Sequence, residues 1–540
     1  MEQLKEKRKS ILKNKYFLYA TEFFSGMSVM AIELGASRLL APYFSSSQVV
    51  WTVIIGAIMV AMALGNIWGG KTADKNPDPG RLYGRILFAA VWIAAIPFLG
   101  KYVIAGISFG VAAVVKSNFL VWASLLSCMV LFVFPLMLLG TVTPSLVKYS
   151  VDDLEHNGVI VGRLGALNTI GSIIGTFLPT FVTIPAVGTA ATFLIFSCVL
   201  ALLSLIYFIS TRKKVIACMG ALGIITISGV LSSDYSFAFW ENDLVYEDES
   251  IYNYLQVKED DEKVILSTNV LFGVQSIKMK EENLTGMYYD YALAAPFMAQ
   301  VNQKENSDIL ILGLGTGTYA TLCDRYFPQA KIEGVEIDEK IAALSREYFS
   351  LPDSVTVHVE DGRAFLTQSE KYDVIMVDAY QDITIPFQMS SLEFFSEVKE
   401  HLKEGGVMVV NMNMRSAKEG SINDYLTDTI AAVFPHVYTV TDHANTNMEL
   451  FASDNPEIAE NLLKGLSDIK DQELKEMMEQ VIGGLEKKTG AGHILTDDKA
   501  PVEVLGMKVI DEIIGSELEY YRQMLGGKSL EEILKWFGEM

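Results

Sequence analysis

The sequence predicts a multi-pass α-helical membrane domain followed by an α/β domain built on a doubly wound parallel sheet. Three observations predict it. Lys and Arg outnumber Asp and Glu by 18 to 10 before residue 235 and fall behind by 25 to 55 after it, so a basic half precedes an acidic one within a net charge of −22. Apolar runs long enough to cross a hydrocarbon core crowd the first half. From residue 308 short apolar strands alternate with amphipathic helices, and the stretch "ILILGLGTGT" (309–318) joins the first strand to the first helix.

The apolar runs lie at 17–42, 50–70, 86–116, 118–145, 164–187, 189–210 and 215–232, which predicts seven or eight transmembrane helices within residues 1–235. The opening "MEQLKEKRKSILKNK" is a basic flank rather than a cleaved signal, and "GGKTADKNPDPGRLYGR" carries Lys71, Lys75, Arg81 and Arg85, so both face the cytoplasm. Seven spans would leave the acidic half outside. Two repairs keep it cytoplasmic: Lys101 splits 86–116 into two spans, or 215–232 lies along the membrane surface. Glu22, Glu33 and Arg38 are ionisable residues in the first span, read first as packing ion pairs; Gly171 and Gly175 have the small-residue spacing of a helix contact.

Cys128, Cys198, Cys218 and Cys323 show neither metal-ligand spacing nor a disulfide framework, which favours a reduced, cytosol-facing soluble half and no metal. The acidic half carries no basic stripe, which argues against nucleic acid and suits cationic ligands.

In the second half the order is "DILIL", a helix from Thr318, "KIEGVEI", a helix over 338–349, "VTVHVE", "YDVIMVD", a helix over 391–403 and "GVMVVNM". In such a sheet, ligands bind at the carboxyl ends of the strands. Gly313 permits the turn, Gly315 lets backbone approach a ligand and Gly317 allows close helix packing. Glu336 ends the second strand, where a carboxylate would accept both ribose hydroxyls, and Asp361 ends the third, placed for an adenine amino group. No Lys follows the loop, so it is not a Walker-type phosphate site, and Asp361 with Asp378 suggests no hydride chemistry.

"GGKTAD" resembles a loop of major facilitator transporters, and "IELGASRLLAPYF" with "GRLGALNTIGSIIGTFLP" resembles proteins that fuse such a half-transporter to a spermidine-synthase-like domain. The strand end "VIMVDAYQDITIP" sharpens this to the spermidine synthase, or polyamine aminopropyltransferase, family. "ESIYNYLQV", "FGVQS", "MYYDYALAAP" and "SLEFFSEVKEHLKEGGVMVVN" extend the likeness over about 240–412. The resemblance implies a Rossmann-like sheet of the S-adenosylmethionine methyltransferase type with a small β-rich lid. It divides the chain into 1–235 (transmembrane), 236–300 (lid and connecting helix), 301–510 (catalytic) and 511–540 (helical tail).

The resemblance also implies roles. Asp378 is the catalytic base; Asn253, Gly313, Gly315, Thr316, Gly317, Glu336, Asp361, Gly362 and Pro386 bind the adenosyl donor; Gln275, Tyr288, Tyr289 and Asp382 bind the acceptor. The implied reaction moves an aminopropyl group from decarboxylated S-adenosylmethionine to putrescine or another cationic amine, releasing methylthioadenosine. The implied setting is a multi-pass protein of the cell membrane with its catalytic domain in the cytoplasm, and a homodimer is compatible with it. Thr316 stands where the family has an aspartate gripping the aminopropyl ammonium. It opens a second reading: an S-adenosylmethionine-dependent methyl or amino-carboxypropyl transferase, or a lyase. A transporter or sensor with a ligand-binding nucleotide domain is the third. In "ILTDDKAPVEVL", Asp497, Asp498 and Glu503 are further candidates for a cationic acceptor.

Overall fold

Uninterrupted apolar runs with few breakers make the first part of the chain helical, and each backbone group is then satisfied within its own helix. The computed structural model describes residues 14–525 apart from 116, 151–156, 213, 233–235, 242, 271–272, 380–384, 414–418, 444–446 and 491. It resolves into two units, one reaching Trp240 and the other Glu241–Glu517.

In the first unit five helices are long and apolar enough to cross a membrane: Lys15–Phe44, Gln48–Lys75, Pro79–Val114, Phe119–Ser150 and Gly158–Thr211, with a shorter apolar helix at Val215–Leu231. The fifth is broken at Gly188, whose φ of 79° and ψ of 170° lie outside helical space. Pro79–Val114 runs continuously through Lys101, so the split anticipated there does not form. The reason is local: the buried Lys101 ammonium donates to the Ser236 carbonyl and lies against the rings of Tyr102 and Phe239. Gly171 and Gly175 press against the Phe23 and Met27 carbonyls, leaving no room for a Cβ, so they are a helix contact. Glu22 is fully buried; neutral donors, Thr143 Oγ1 at 2.6 Å and Asn168 Nδ2 at 3.0 Å, hold one of its oxygens.

The second unit opens with an antiparallel sheet of four strands, β1 (Leu244–Glu249), β2 (Tyr254–Glu259), β3 (Lys263–Ser267) and β4 (Ser276–Met279). Short helices Tyr288–Ala292 and Ala294–Met298 lead to an eight-stranded sheet. Its strands are β5 (Ser307–Leu312), β6 (Ala330–Glu336), β7 (Thr356–Val359), β8 (Tyr372–Val377), β9 (Leu402–Met412), β10 (His436–Thr441), β11 (Met448–Ser453) and β12 (Glu486–Lys488). They lie in the order β12-β10-β11-β9-β8-β5-β6-β7. Pairing is parallel from β7 through β6, β5 and β8 to β9, whereas β11, β10 and β12 join antiparallel, so the sheet is mixed rather than wholly parallel. β10 and β11 follow each other as antiparallel neighbours, a connection that antiparallel pairing permits to be short.

Every residue of β8 is buried, as expected of a central strand covered on both faces. Leu293, Phe297, Ile309, Ile311, Val374, Met376, Val407, Val409 and Phe451 form one continuous core on one face of the sheet. Strand order reverses between β5 and β8, and the crevice beyond their carboxyl ends is where this architecture receives ligands.

Candidate active site

The crevice holds a cavity of about 340 Å³ lined by Gly313, Gly315, Glu336, Asp361 and Asp378, the residues at the carboxyl ends of four successive parallel strands. Asn253, Gln275, Tyr289, Gly362 and Pro386 complete the wall. The local sequence explains each placement. Gly313 follows β5 with φ +88°, and a Cβ there would sit 2.5 Å from the Asp378 carbonyl oxygen, so the two strand ends meet through a residue without a side chain. Gly315, at φ +56°, donates its N–H to Glu336 Oε2 at 2.9 Å. Sequence reasoning gave that backbone to a ligand; the structure gives its N–H to the acid at the end of the next strand.

Glu336 is buried, and its other oxygen accepts from Asp338 N–H at 3.0 Å. Burial pushes its carboxyl up to about 7, with backbone donors at Asp338, Gly315 and Ile337 pulling the other way. Asp338 ties this turn to the lid: its Oδ2 accepts from Ser250 Oγ at 2.5 Å and from Asn253 Nδ2 at 3.2 Å. Asp361 caps the helix Gly362–Leu366, accepting from Ala364 N–H at 2.9 Å, which fixes its carboxylate at the cavity wall.

Asp378 is clamped on both oxygens. Tyr288 Oη donates to Oδ2 at 2.7 Å and Asn411 Nδ2 to Oδ1 at 2.8 Å, and Asn447 Nδ2 in turn donates to Asn411 Oδ1 at 2.8 Å. The carboxylate faces the cavity but is otherwise surrounded by protein. Desolvation raises it to about 7, against the lowering effect of Asn411 and Tyr288. A carboxyl group that titrates near neutrality and is held in one orientation suits proton transfer. The ring of Tyr289 lies tilted against that of Tyr288, 4.0 Å between centroids, and its hydroxyl donates to the Gln275 carbonyl at 2.7 Å.

Other residues fall elsewhere. Tyr288 reaches Asp378 without lining the cavity. Gly317 begins the helix Thr318–Tyr326 at φ +88° and packs on Leu351. Thr316 is 1% exposed and lines a separate cavity of about 350 Å³ beside the glycine loop; its Oγ1 has no hydrogen-bond partner among the described residues, while its N–H donates to Ser276 Oγ at 3.0 Å. Asp382 lies outside the described residues. Asp497, one of three candidates for a cationic acceptor, is held by Arg363 Nη1 and Nη2 at 2.8 and 3.0 Å and by Ser391 Oγ at 2.5 Å, so a guanidinium already occupies its carboxylate. Asn411, Asn447 and Glu449 had no place in the sequence reading; the signal was a polar residue within each of the apolar runs "GVMVVNM" and "NMELFAS". Among the described residues there is no group of His, Cys, Asp and Glu able to hold a metal ion.

Geometry and fold define a Rossmann-like unit with a ligand-sized crevice at the carboxyl ends of its parallel strands. The spermine/spermidine synthase domain matches residues 291–461. A probable polyamine aminopropyl transferase of Bifidobacterium longum is 52% identical over 349 residues, 61% of this chain and 77% of that protein. The polyamine aminopropyltransferase of Vibrio vulnificus is 27% identical over 210 residues, covering 37% and 69%. A crystal structure of a probable spermidine synthase from Corynebacterium glutamicum aligns over 46% of this chain and 96% of that one, at 20% identity and a TM-score of 0.35. The chain belongs to the spermine/spermidine synthase family of polyamine aminopropyltransferases.

Proposed function

We propose that this protein is a membrane-embedded enzyme of polyamine biosynthesis that transfers the aminopropyl group of decarboxylated S-adenosylmethionine to a diamine such as putrescine. The observation that carries the proposal is the double clamp on Asp378 at the edge of a cavity whose other wall is Glu336. The acceptor nitrogen must give its lone pair to the methylene carbon beside the sulfonium. The new C–N bond forms as the C–S bond breaks, its electron pair goes to sulfur, and neutral methylthioadenosine leaves. The proton lost from nitrogen passes to Asp378, whose two donors leave the other lone pair of each oxygen free to face the amine. Glu336 is suited to the ribose hydroxyls and Asp361 to the adenine amino group, since each is anchored by backbone N–H groups and keeps acceptor capacity.

The five long apolar helices support membrane embedding, and the basic flanks of the sequence support a catalytic unit on the cytoplasmic side. The lack of an acid at position 316 of the glycine loop supports a second reading: with Thr316 there, no loop carboxylate repels the carboxylate of intact S-adenosylmethionine, so methyl or amino-carboxypropyl transfer is the alternative. The test of the first reading is methylthioadenosine release dependent on added diamine, measured for the wild type and Asp378→Asn. Release from the wild type alone supports it; equal release from both overturns the role of Asp378.

A further inference from the structure

Near the start of the helix Pro79–Val114, Arg85 is fixed in place without meeting an acid. Its Nη2 donates to Thr72 Oγ1 at 3.1 Å and its guanidinium lies over the Trp68 ring, 4.2 Å from the centroid, so Gln48–Lys75 orients the charge but does not neutralise it. Arg81 is exposed, four residues earlier on the same face, and within electrostatic reach of Arg85. Gly84 stands between them, and its missing side chain leaves room for a third cation: Lys214 Nζ, from the residue that precedes Val215–Leu231, is 3.6 Å from where a Cβ would be. Among the described residues none of the three cations has an ion pair. Of the flanking acids, Asp74 is taken by Lys148 at 2.9 Å, and Asp78 caps its helix by accepting from Gly80 N–H at 3.0 Å. Like charges four residues apart on a helix repel, and an anion placed among them relieves the repulsion. The neighbouring surface decides the kind of anion. Phe88, one turn beyond Arg85, is 51% exposed, and Ile216, two residues beyond Lys214, is 89% exposed. Cations bordered by exposed apolar side chains match a negative head that carries a hydrocarbon tail.

We propose that Arg81, Arg85 and Lys214 bind the phosphate of an anionic phospholipid whose acyl chains lie along Phe88 and Ile216. The inference rests on the membrane-embedded reading of the first unit and is independent of the reaction. Arg85, already oriented by Trp68 and Thr72, offers its remaining N–H groups to the phosphate oxygens, while Arg81 and Lys214 add charge. The same three cations repel the quaternary ammonium of a choline headgroup, so the site selects phosphatidylglycerol over phosphatidylcholine.

The experiment titrates full-length protein in mild detergent with phosphatidylglycerol, with phosphatidylcholine of the same acyl chains and with glycerol 3-phosphate, reading bound ligand by native mass spectrometry. Wild type is expected to bind phosphatidylglycerol about tenfold or more tightly than phosphatidylcholine, and glycerol 3-phosphate far more weakly than either. Arg85→Gln with Lys214→Gln should abolish the preference. Lys71→Gln with Lys75→Gln removes the same charge from the same end of the bundle and should leave the preference intact. Arg81→Gln changes an exposed side chain and keeps the comparison available if the first double variant fails to fold; it should lose about fivefold. Equal affinity of wild type for the two lipids overturns the proposal. So does an equal loss in the two double variants, because the lipid then reads only net charge. Glycerol 3-phosphate bound as tightly as phosphatidylglycerol makes the ligand a soluble anion and also overturns it. The two readings separate cleanly: protein that alkaline carbonate strips from membranes refutes embedding, whereas the titration in detergent decides the headgroup site by itself.

Discussion

Tyr288→Phe removes one hydroxyl and nothing else, and its effect can be worked from the geometry. The Tyr288 hydroxyl donates to Asp378 Oδ2 at 2.7 Å from a side chain that is 6% exposed. A hydrogen bond to a charged group contributes about 1.5 to 3 kcal/mol, and one pKa unit corresponds to about 1.4 kcal/mol. Asp378 borders the cavity, and water there restores part of the loss, so the lower end applies: a rise of about one unit from a starting value of about 7. The base works ionised, so a raised pKa lowers activity on the acid side and spares the alkaline side. The assay is kcat/KM against pH for wild type and variant with the same donor and acceptor, whose own titrations are common to both profiles. The variant should be about fivefold slower near pH 7 and converge on the wild type near pH 9. A uniform loss at every pH would refute the reasoning, because Tyr288 would then act on a substrate and not through the Asp378 carboxyl.

Three further outcomes follow from the same site. Asp378→Asn should lower kcat by about 10²- to 10⁴-fold while leaving methylthioadenosine affinity near wild type, checked by turnover and calorimetry side by side. Glu336 titrates near 7, so wild-type affinity for methylthioadenosine should fall as pH drops below that value; Glu336→Gln should bind more weakly at pH 8 and lose this pH dependence, since its amide cannot serve both Gly315 and Asp338 as acceptor. Gly315→Ala forces an L-residue to φ +56° and sets its Cβ 2.6 Å from Ser276 Oγ, which should cost on the order of 1 to 2 kcal/mol in chemical denaturation of the catalytic unit and weaken nucleoside binding.

The parallel core of the sheet was legible because its strands are short, apolar and bounded by turn residues, and because Glu336, Asp361 and Asp378 each close one of them. The antiparallel edge was not. Strands β10 and β11 have the same local pattern in either direction, and only the length and packing of their connection decide pairing. Asn411 was missed for a related reason: its importance lies in reaching Asp378 from the neighbouring strand, a register that no single segment encodes. Asp497 misled because its motif advertised three carboxyl groups near the acceptor, while Arg363, more than a hundred residues away in sequence, neutralises it. Of the two ways to keep the acidic half cytoplasmic, sequence had no means of setting aside the split at Lys101, since its carbonyl and ring partners are invisible in the apolar run that contains it.

The central claim concerns the donor. Purified full-length protein should be given decarboxylated and intact S-adenosylmethionine together in equal amounts with putrescine, and every product followed by mass spectrometry. The account predicts methylthioadenosine and an aminopropylated diamine in equal amounts, with intact S-adenosylmethionine unconsumed. Adenosylhomocysteine together with a methylated amine, with the decarboxylated donor left intact, would contradict it.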